Sequence, residues 1–499
     1  MKRHILISLT TNSSVARIGE NLGIRYIKAY LEKNGYNIDI LENQFQKLSS
    51  EELKKIISQY DVIGFSINYC GQIPVLKEVL NLIEKKHKTI YVGGHFASIC
   101  YKELIQQFAK IDFVMLSDGE LATLELVKNN YCYFSTENVV YKKGNTIIRN
   151  HIKIPENLDS LPFPYRNKDS YYMGDKHFAV ISSRGCYNRC SYCSVGSFTH
   201  CYFNNKIRMR SANNIFAELK LLNEKYNVKY ITFQDDLFIG TDKESRSRAS
   251  KLAQLIISNN LSMFFSIQCS VKSIDIETFS LLFKAGLRNV MIGIENFSPH
   301  ALKCFRKNQN IDDIQKAIDT LRQIGIPLSY GFIMYYPEMN HSEIIENIKI
   351  LYKLRILNLR SITSVLQIYI GTEYANRSLE NIEITKTDFF ITYKFKDNRI
   401  NQYIEKCRYI SKKYGAIETQ LFHLEFLSHT DKRIHNNRIE LFFSQFQDLV
   451  YEYCSDLYNN TFLEQPKNSN MCIENEFVTL KCKIKKYMCE TIKDCQDSV

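Results

Sequence analysis

Cys186, Cys190 and Cys193 share one short loop, Arg184-Gly185-Cys186-Tyr187-Asn188-Arg189-Cys190-Ser191-Tyr192-Cys193, directly after a β-branched, apolar run that ends at Ile181. The C-x3-C-x2-C spacing lets a tight loop bring three sulfurs to one face of a small metal cluster. An ordinary four-iron cluster takes four thiolates. Three leave one iron with an open position, where chemistry rather than stapling takes place. Taken alone, the cysteines also allow a zinc site completed by His200 or Cys201.

The elements that must hold this loop follow a repeating pattern. Apolar runs at 178–181, 230–233, 264–267, 290–294, 329–334 and 362–366 alternate with helical stretches at 212–226, 243–259, 275–285, 311–324 and 341–354. Six strand-helix units are too few for the closed eight-stranded barrel of about 250 residues, so the pattern predicts a partial (β/α)6 barrel over 176–378. Its strand ends carry polar residues: Gln234, Asp235 and Asp236 after the second, Gln268, Ser270 and Lys272 at the third, Glu295 at the fourth, and Tyr335 and Tyr336 after the fifth. The Asp pair also fits an acidic helix N-cap.

Ahead of the barrel, strands at 4–10, 37–41, 62–67, 89–92 and 113–116 alternate with helices near 23–34, 51–58 and 74–86. This spacing predicts an open, doubly wound parallel sheet over 1–130 with ligand at the carboxyl ends of its strands. Two ends stand out. Ser66-Ile67-Asn68 can hydrogen-bond a ligand's rim, and Gly93-Gly94-His95 lets backbone approach it closely, although a plain turn explains the glycines equally well. Residues 131–175, with a hairpin around Lys143-Gly144-Asn145 and prolines at 155, 162 and 164, form the expected connection. Residues 379–499 form a helical tail expected to cover the barrel mouth, in which Cys472, Cys482, Cys489 and Cys495 are too widely spaced for a second tight cluster motif.

The whole chain has 499 residues, 45% of them hydrophobic, enough for two or three well-filled domains. No apolar run approaches the ~18–20 residues that span a bilayer, and the first residues fit a short strand rather than a signal peptide. A cytoplasmic protein is expected, in which fifteen cysteines are no disulfide framework. The formal charge of +12 is scattered as solvated helix faces and makes no case for nucleic acid.

The cysteine spacing, with Arg184-Gly185 before it and Tyr192 inside it, resembles the radical S-adenosylmethionine (SAM) superfamily. The order Gly23-Ile24-Arg25-Tyr26, Gly93-Gly94-His95, Asp118-Gly119-Glu120 resembles the cobalamin-binding domain fused ahead of many such enzymes. The usual Gly-Glu-Gly-Glu is here Ser117-Asp118-Gly119-Glu120. The resemblance implies a [4Fe-4S] cluster on Cys186, Cys190 and Cys193, whose open iron is chelated by SAM and whose electron releases a 5′-deoxyadenosyl radical. It implies SAM contacts from Tyr192 beside the adenine, from Gln234, Asp235 and Asp236 to the methionine amino group, from Glu295 to the ribose diol, and from Gln268. An ionised carboxylate, acceptor only, suits a diol. It further implies cobalamin against Ser66, Asn68, Gly93, Gly94 and His95, with no histidine on cobalt because the Asp-x-His-x-x-Gly motif is absent. Tyr335 and Tyr336, in place of the family's Gly-x-Pro turn, are expected to meet substrate.

The implied function is methylation of an unactivated carbon in a natural-product or peptide substrate, fed by a flavodoxin- or ferredoxin-like electron donor. The rivals are a cobalamin-binding cyclase or rearrangement enzyme, a methylthiotransferase with a second cluster on Cys70, Cys100 and Cys132, and a non-enzymatic cobalamin sensor.

Overall fold

The computed structural model describes residues 2–9, 20–42, 48–167, 177–430, 436–463 and 470–496. Thr10 of the first expected strand and residues 168–175 of the expected connection lie outside them. Short apolar strands alternating with capped, amphipathic helices build two parallel sheets.

The first sheet is formed by β1 (His4–Ser8), α1 (Leu22–Lys33), β2 (Asp39–Glu42), α2 (Ser50–Ser58), β3 (Val62–Ser66), α3 (Ile73–Leu82), β4 (Thr89–Gly93), α4 (His95–Ile99), α5 (Tyr101–Gln107), β5 (Phe113–Met115) and α6 (Glu120–Lys128). Helix starts follow the side chains: Asn21 caps α1, and Ser49 with Glu52 forms a capping box on α2. Strands β1 and β3 are buried along their whole length, as strands covered on both faces must be. The parallel order β2-β1-β3-β4-β5 reverses between β1 and β3, and so opens a crevice at their carboxyl ends. Asn21 spans that crevice, donating to Ser8 Oγ at 3.1 Å and Ser66 Oγ at 3.0 Å.

The hairpin expected in the connection belongs instead to this sheet. Strand β6 (Val139–Lys143) pairs antiparallel with β5, and β7 (Thr146–Arg149) follows, giving seven strands. Val139 and Val140 are fully buried, so the pairing removes apolar surface that a free linker hairpin would expose.

The second sheet runs β8 (His177–Val180), β9 (Ser183–Arg184), α7 (Ser194–Phe203), β10 (Arg208–Met209), α8 (Ala212–Tyr226), β11 (Tyr230–Phe233), α9 (Lys243–Ser258), β12 (Phe264–Cys269), α10 (Ile276–Lys284), β13 (Leu287–Glu295), α11 (Pro299–Cys304), α12 (Ile311–Ile324), β14 (Leu328–Phe332) and α13 (Ser342–Lys353). Its order, β14-β13-β12-β11-β8, places each strand beside its predecessor. With no reversal, right-handed crossovers put the helices on one face, as in a barrel. Residues such as Val180, Ile231, Phe265, Ile267 and Ile292 fill the helix-covered face. The other face alternates with them and is polar: His177 bonds Thr232, Ser266 bonds Thr232, and Asn289 bonds Ser329.

The sixth expected strand contributes one rung, a parallel bridge between Tyr335 and Val365, with Leu366 donating to the Tyr335 carbonyl at 2.8 Å. A 3-10 turn at Ser361–Thr363 uses up the residues that would have extended it. The tail also departs from a purely helical expectation. It opens with a hairpin, β15 (Ile382–Lys386) and β16 (Ile391–Phe395), before α14 (Asn398–Thr430), α15 (Asn436–Phe462) and α16 (Asn470–Gln496). These helices pack on the flank of the partial barrel rather than over its mouth: Glu418 accepts from Leu359 N–H, Asp448 from Tyr352, and Tyr458 bonds His341. Among the described residues no helix is long and apolar enough to cross a membrane.

A buried chain of charges joins the two sheets. Glu42 pairs with Arg25 at 2.5 Å, Arg25 with Glu20 at 3.0 Å, Glu20 with Arg166, Arg166 with Glu218 at 3.0 Å, and Glu218 with Arg210 at 2.6 Å. Every side chain in it is at most 6% exposed. Three carboxylates balance three guanidiniums. Replacing Glu20 by Ala leaves three buried guanidiniums to two carboxylates and is expected to cost about 3–5 kcal/mol, read as a lower denaturation midpoint. Removing the exposed Lys220–Glu224 pair should change it by less than ~1 kcal/mol.

Candidate active site

The cysteine loop is held from three sides. Asp235, 3% exposed, accepts from Ser182 N–H at 3.0 Å, Ser182 Oγ at 2.9 Å and Ser183 Oγ at 2.5 Å. Its carboxylate is spent on orienting the chain into the loop rather than turned toward a ligand, against the expected contact to a methionine amino group. Gly185 has φ +95°, where a Cβ would press Thr199 at 3.2 Å. Thr199 in turn takes Cys186 N–H at 3.1 Å. On the far side Ser191 donates from N–H to Phe305 O at 3.0 Å and from Oγ to Cys304 O at 2.7 Å.

The three thiols are partly buried and free. Burial pushes all of them up, Cys186 to about 11. Against this, the Val195 and Gly196 N–H groups at the start of α7 favour the Cys193 thiolate, and Asn188 N–H favours that of Cys186. Donors aimed at sulfur are what a metal-bound thiolate uses. Among the described residues no three thiol, imidazole or carboxylate side chains converge on a single ion. His200 bonds Asn205, and Cys201 is exposed. The loop fits an iron-sulfur cluster.

The start of the loop, Arg184 and Gly185, forms part of one wall of a cavity of about 280 Å³ between the two sheets. The first domain lines it with Ser66, Asn68, Gly93, Gly94 and His95, and the second with Arg184, Gly185, Gln234 and Asp236. At Gly94, φ +104°, a Cβ would meet Asn68 Oδ1 and Ile67 O at 2.7 Å. The glycine thus keeps the cradle open. Ser117, also in the wall, has φ +62° and a buried hydroxyl without a partner. An orphan hydroxyl and a glycine cradle suit a large polar cofactor such as cobalamin. The φ also explains why glycine is usual where this chain has Ser117.

His95 reaches across to the second domain. Its Nε2 pairs with Ser194 Oγ at 3.1 Å and its ring lies 4.6 Å from that of Phe198. Burial pulls it down to about 4, so it is neutral at pH 7. Asp236, reached by solvent inside the cavity but ringed by protein, is pushed up to about 6 by burial and then by Asp235.

Arg184, beside the first cysteine, ties this wall to the first domain through Glu120 at 2.6 Å and Asp118 at 3.2 Å, and Arg208 joins Asp118 at 2.6 Å. Arg210 bonds Glu218 and Asn214. Both Arg208 and Arg210 are therefore anchors.

A second cavity, of about 240 Å³, brings Tyr192 and Glu295 together with Gly331, Leu366 and Tyr369. Tyr192 and Glu295 face each other in it; burial first and then Glu295 hold the phenol well above its usual range. Gln268 is exposed on the polar face. Tyr335 and Tyr336 are not at a mouth. Both are fully buried, with hydroxyls donating to Ile362 O at 2.8 Å and Glu343 Oε2 at 2.6 Å, because the apolar tail covers that edge. Cys100 is buried while Cys132 is exposed, so Cys70, Cys100 and Cys132 do not share one setting. Ser117, Tyr369 and Lys307, which pairs with Glu295, were not singled out by sequence. Only Ser117 left a signal, as a serine in a glycine's place.

A parallel sheet with its cradle facing a three-thiol loop on a partial barrel defines a two-cofactor enzyme of the B12-binding radical SAM type. The comparisons agree: the B12 binding domain model matches residues 9–127 and the Radical SAM superfamily model residues 180–351. The chain belongs to the B12-binding radical SAM family and is a cobalamin-dependent radical SAM enzyme with a [4Fe-4S] cluster, SAM and cobalamin as cofactors.

It is 24% identical over 369 residues to an uncharacterized methyltransferase of Pyrococcus horikoshii, covering 70% of this chain and 78% of that protein. It is 23% identical over 346 residues to the anaerobic magnesium-protoporphyrin IX monomethyl ester cyclase of Synechocystis, covering 66% and 67%. The structure of OxsB, a cobalamin-dependent SAM radical enzyme with aqua-cobalamin and SAM bound, matches with TM-score 0.76 and 16% identity over 100% of this chain and 81% of that one.

Asp235→Ala leaves buried donors unmet and should destabilise the metal-free protein by about 1–3 kcal/mol in chemical denaturation. It should also lower the iron retained after reconstitution. Asp235→Asn, which keeps one acceptor oxygen, should recover most of both.

Proposed function

We propose that the protein methylates a carbon of a polar small molecule or peptide. The observation that carries this is the shared cavity: the glycine cradle of the first sheet and Arg184-Gly185, which lead into the cysteine loop of the second, line one space. When bound, cobalamin supplies a methyl group, and the cluster with SAM supplies a radical that abstracts hydrogen. The chain's own part is to hold these centres together and keep water out. Arg184, through Asp118 and Glu120, fixes the distance between the walls. Glu295 offers a carboxylate to a diol, and Gln234 and Asp236 offer acceptors to an ammonium.

Gln234 and Asp236 in the wall of the first cavity support a polar substrate, since a hydrocarbon there would strand their polar groups. Cyclisation or rearrangement is the second reading, favoured by the similarity to the Synechocystis cyclase.

Anaerobic reconstitution with iron, sulfide and cobalamin, then reductant and SAM, tests the proposal. One cobalt and about four irons are expected, with the irons but not the cobalt lost in the Cys186/Cys190/Cys193→Ala variant. Methyl transfer requires S-adenosylhomocysteine as well as 5′-deoxyadenosine among the products. The second without the first would overturn methyl transfer in favour of cyclisation or rearrangement.

A further inference from the structure

Lys307 stands twelve positions past Glu295, beyond α11, and has no counterpart in the motifs that marked the site. The fold returns it to the cofactor cavity. Ser191 hydrogen-bonds to the carbonyls of Cys304 and Phe305, and the Tyr192 ring meets Phe305 edge-on at 5.4 Å. The stretch 304–307 is thus the floor under the cysteine loop. From it, Lys307 Nζ reaches Glu295 Oε1 at 3.2 Å, with the two side chains 13% and 12% exposed.

The surroundings are shaped for this pair. Glu295 has φ +64° at a break in the β13–β14 register, a conformation that costs a non-glycine residue about 1–3 kcal/mol. A Cβ on Gly293 would lie 2.5 Å from Glu295 Oε1 and 2.7 Å from Lys307 Nζ, and one on Gly331 3.3 Å from Glu295 Oε2. These glycines face each other across the two strands. The stretch that carries the ammonium is bonded to Ser191, which lies between Cys190 and Cys193, so the charge sits under the cysteine loop.

We propose that Lys307 is a positioning residue of the cofactor site. Its fixed charge holds the Glu295 carboxylate aimed into the cavity for the SAM ribose. It also offsets the negative charge of the neighbouring thiolates, so that the cluster more readily accepts one electron from an external low-potential donor. This rests on the radical SAM assignment and not on methyl transfer.

The test is an EPR-monitored redox titration of the reconstituted cluster, with SAM affinity measured by equilibrium dialysis on the same samples. Lys307→Met should lower the ratio of reduced to oxidised cluster at a set potential about tenfold, equivalent to a shift of about 59 mV to more negative values. It should also weaken SAM binding. Lys307→Arg, which keeps the cation, should recover both. Glu295→Gln should weaken SAM binding too, yet move the potential the opposite way, because it removes a negative charge.

An unchanged potential in Lys307→Met, or shifts of the same sign in both variants, overturns the proposal. So does loss of iron from Lys307→Met in a folded protein, which would make the residue a structural prop. Failure of the wild type itself to hold iron would instead sink the radical SAM reading.

Discussion

The arrangement depends on a charge-balanced seam sealed from water. Six side chains, from Glu42 at the end of β2 to Arg210 before α8, run in alternating sign between the sheets, and a second group, Glu120, Arg184, Asp118 and Arg208, does the same beside the cysteine loop. Desolvating so many ions is costly and is offset only where each meets its partner. The planar fork of arginine makes the match directional. An apolar interface could slide by a side chain's width and lose little, whereas these charges pair in one register. The cavity between the sheets inherits that precision.

Within the second domain the same economy recurs at shorter range. Asp235 gathers the donors of two serines and turns the chain into the loop, α7 presents its first N–H groups to a sulfur, and the floor at 304–307 closes the far side. Polar groups face what space is left: Gln234 and Asp236 with the orphan hydroxyl of Ser117 in one cavity, Tyr192 and the Lys307-paired Glu295 in the other.

Much of this was legible in the sequence. Strand and helix periods placed the strands of both large sheets and most of the long helices between them, though not α4 to α7 or α11, because burial on one or both faces is written locally in residue type. The cysteine spacing marked the loop, and the strand ends marked both cavities. What escaped depends on partners far along the chain. Asp235 and Asp236 are adjacent and chemically alike, yet one is an anchor and the other faces the cavity, a difference set by Ser182 and Ser183 some fifty positions earlier. Tyr335 and Tyr336 follow a barrel strand as ligand-binding residues do, and only the tail that buries them shows otherwise. The Val139–Tyr141 run looked like a linker hairpin because the edge of β5 that it completes cannot be seen from its own residues.

The sixth strand's single rung has a consequence for the wall as a mechanical object. Five strands brace one another through continuous ladders, but the side that closes the second cavity near Leu366 and Tyr369 has almost no backbone bracing of its own. Its rigidity is borrowed: Tyr335 is clamped between Ile362 and Cys407 of α14, Tyr393 of the β15–β16 hairpin donates to Leu366 O, and Glu418 fixes Leu359. A chain cut before β15 would keep Cys186, Cys190, Cys193 and every strand-end carboxylate, and still lose the buttress that gives its second cavity a back wall.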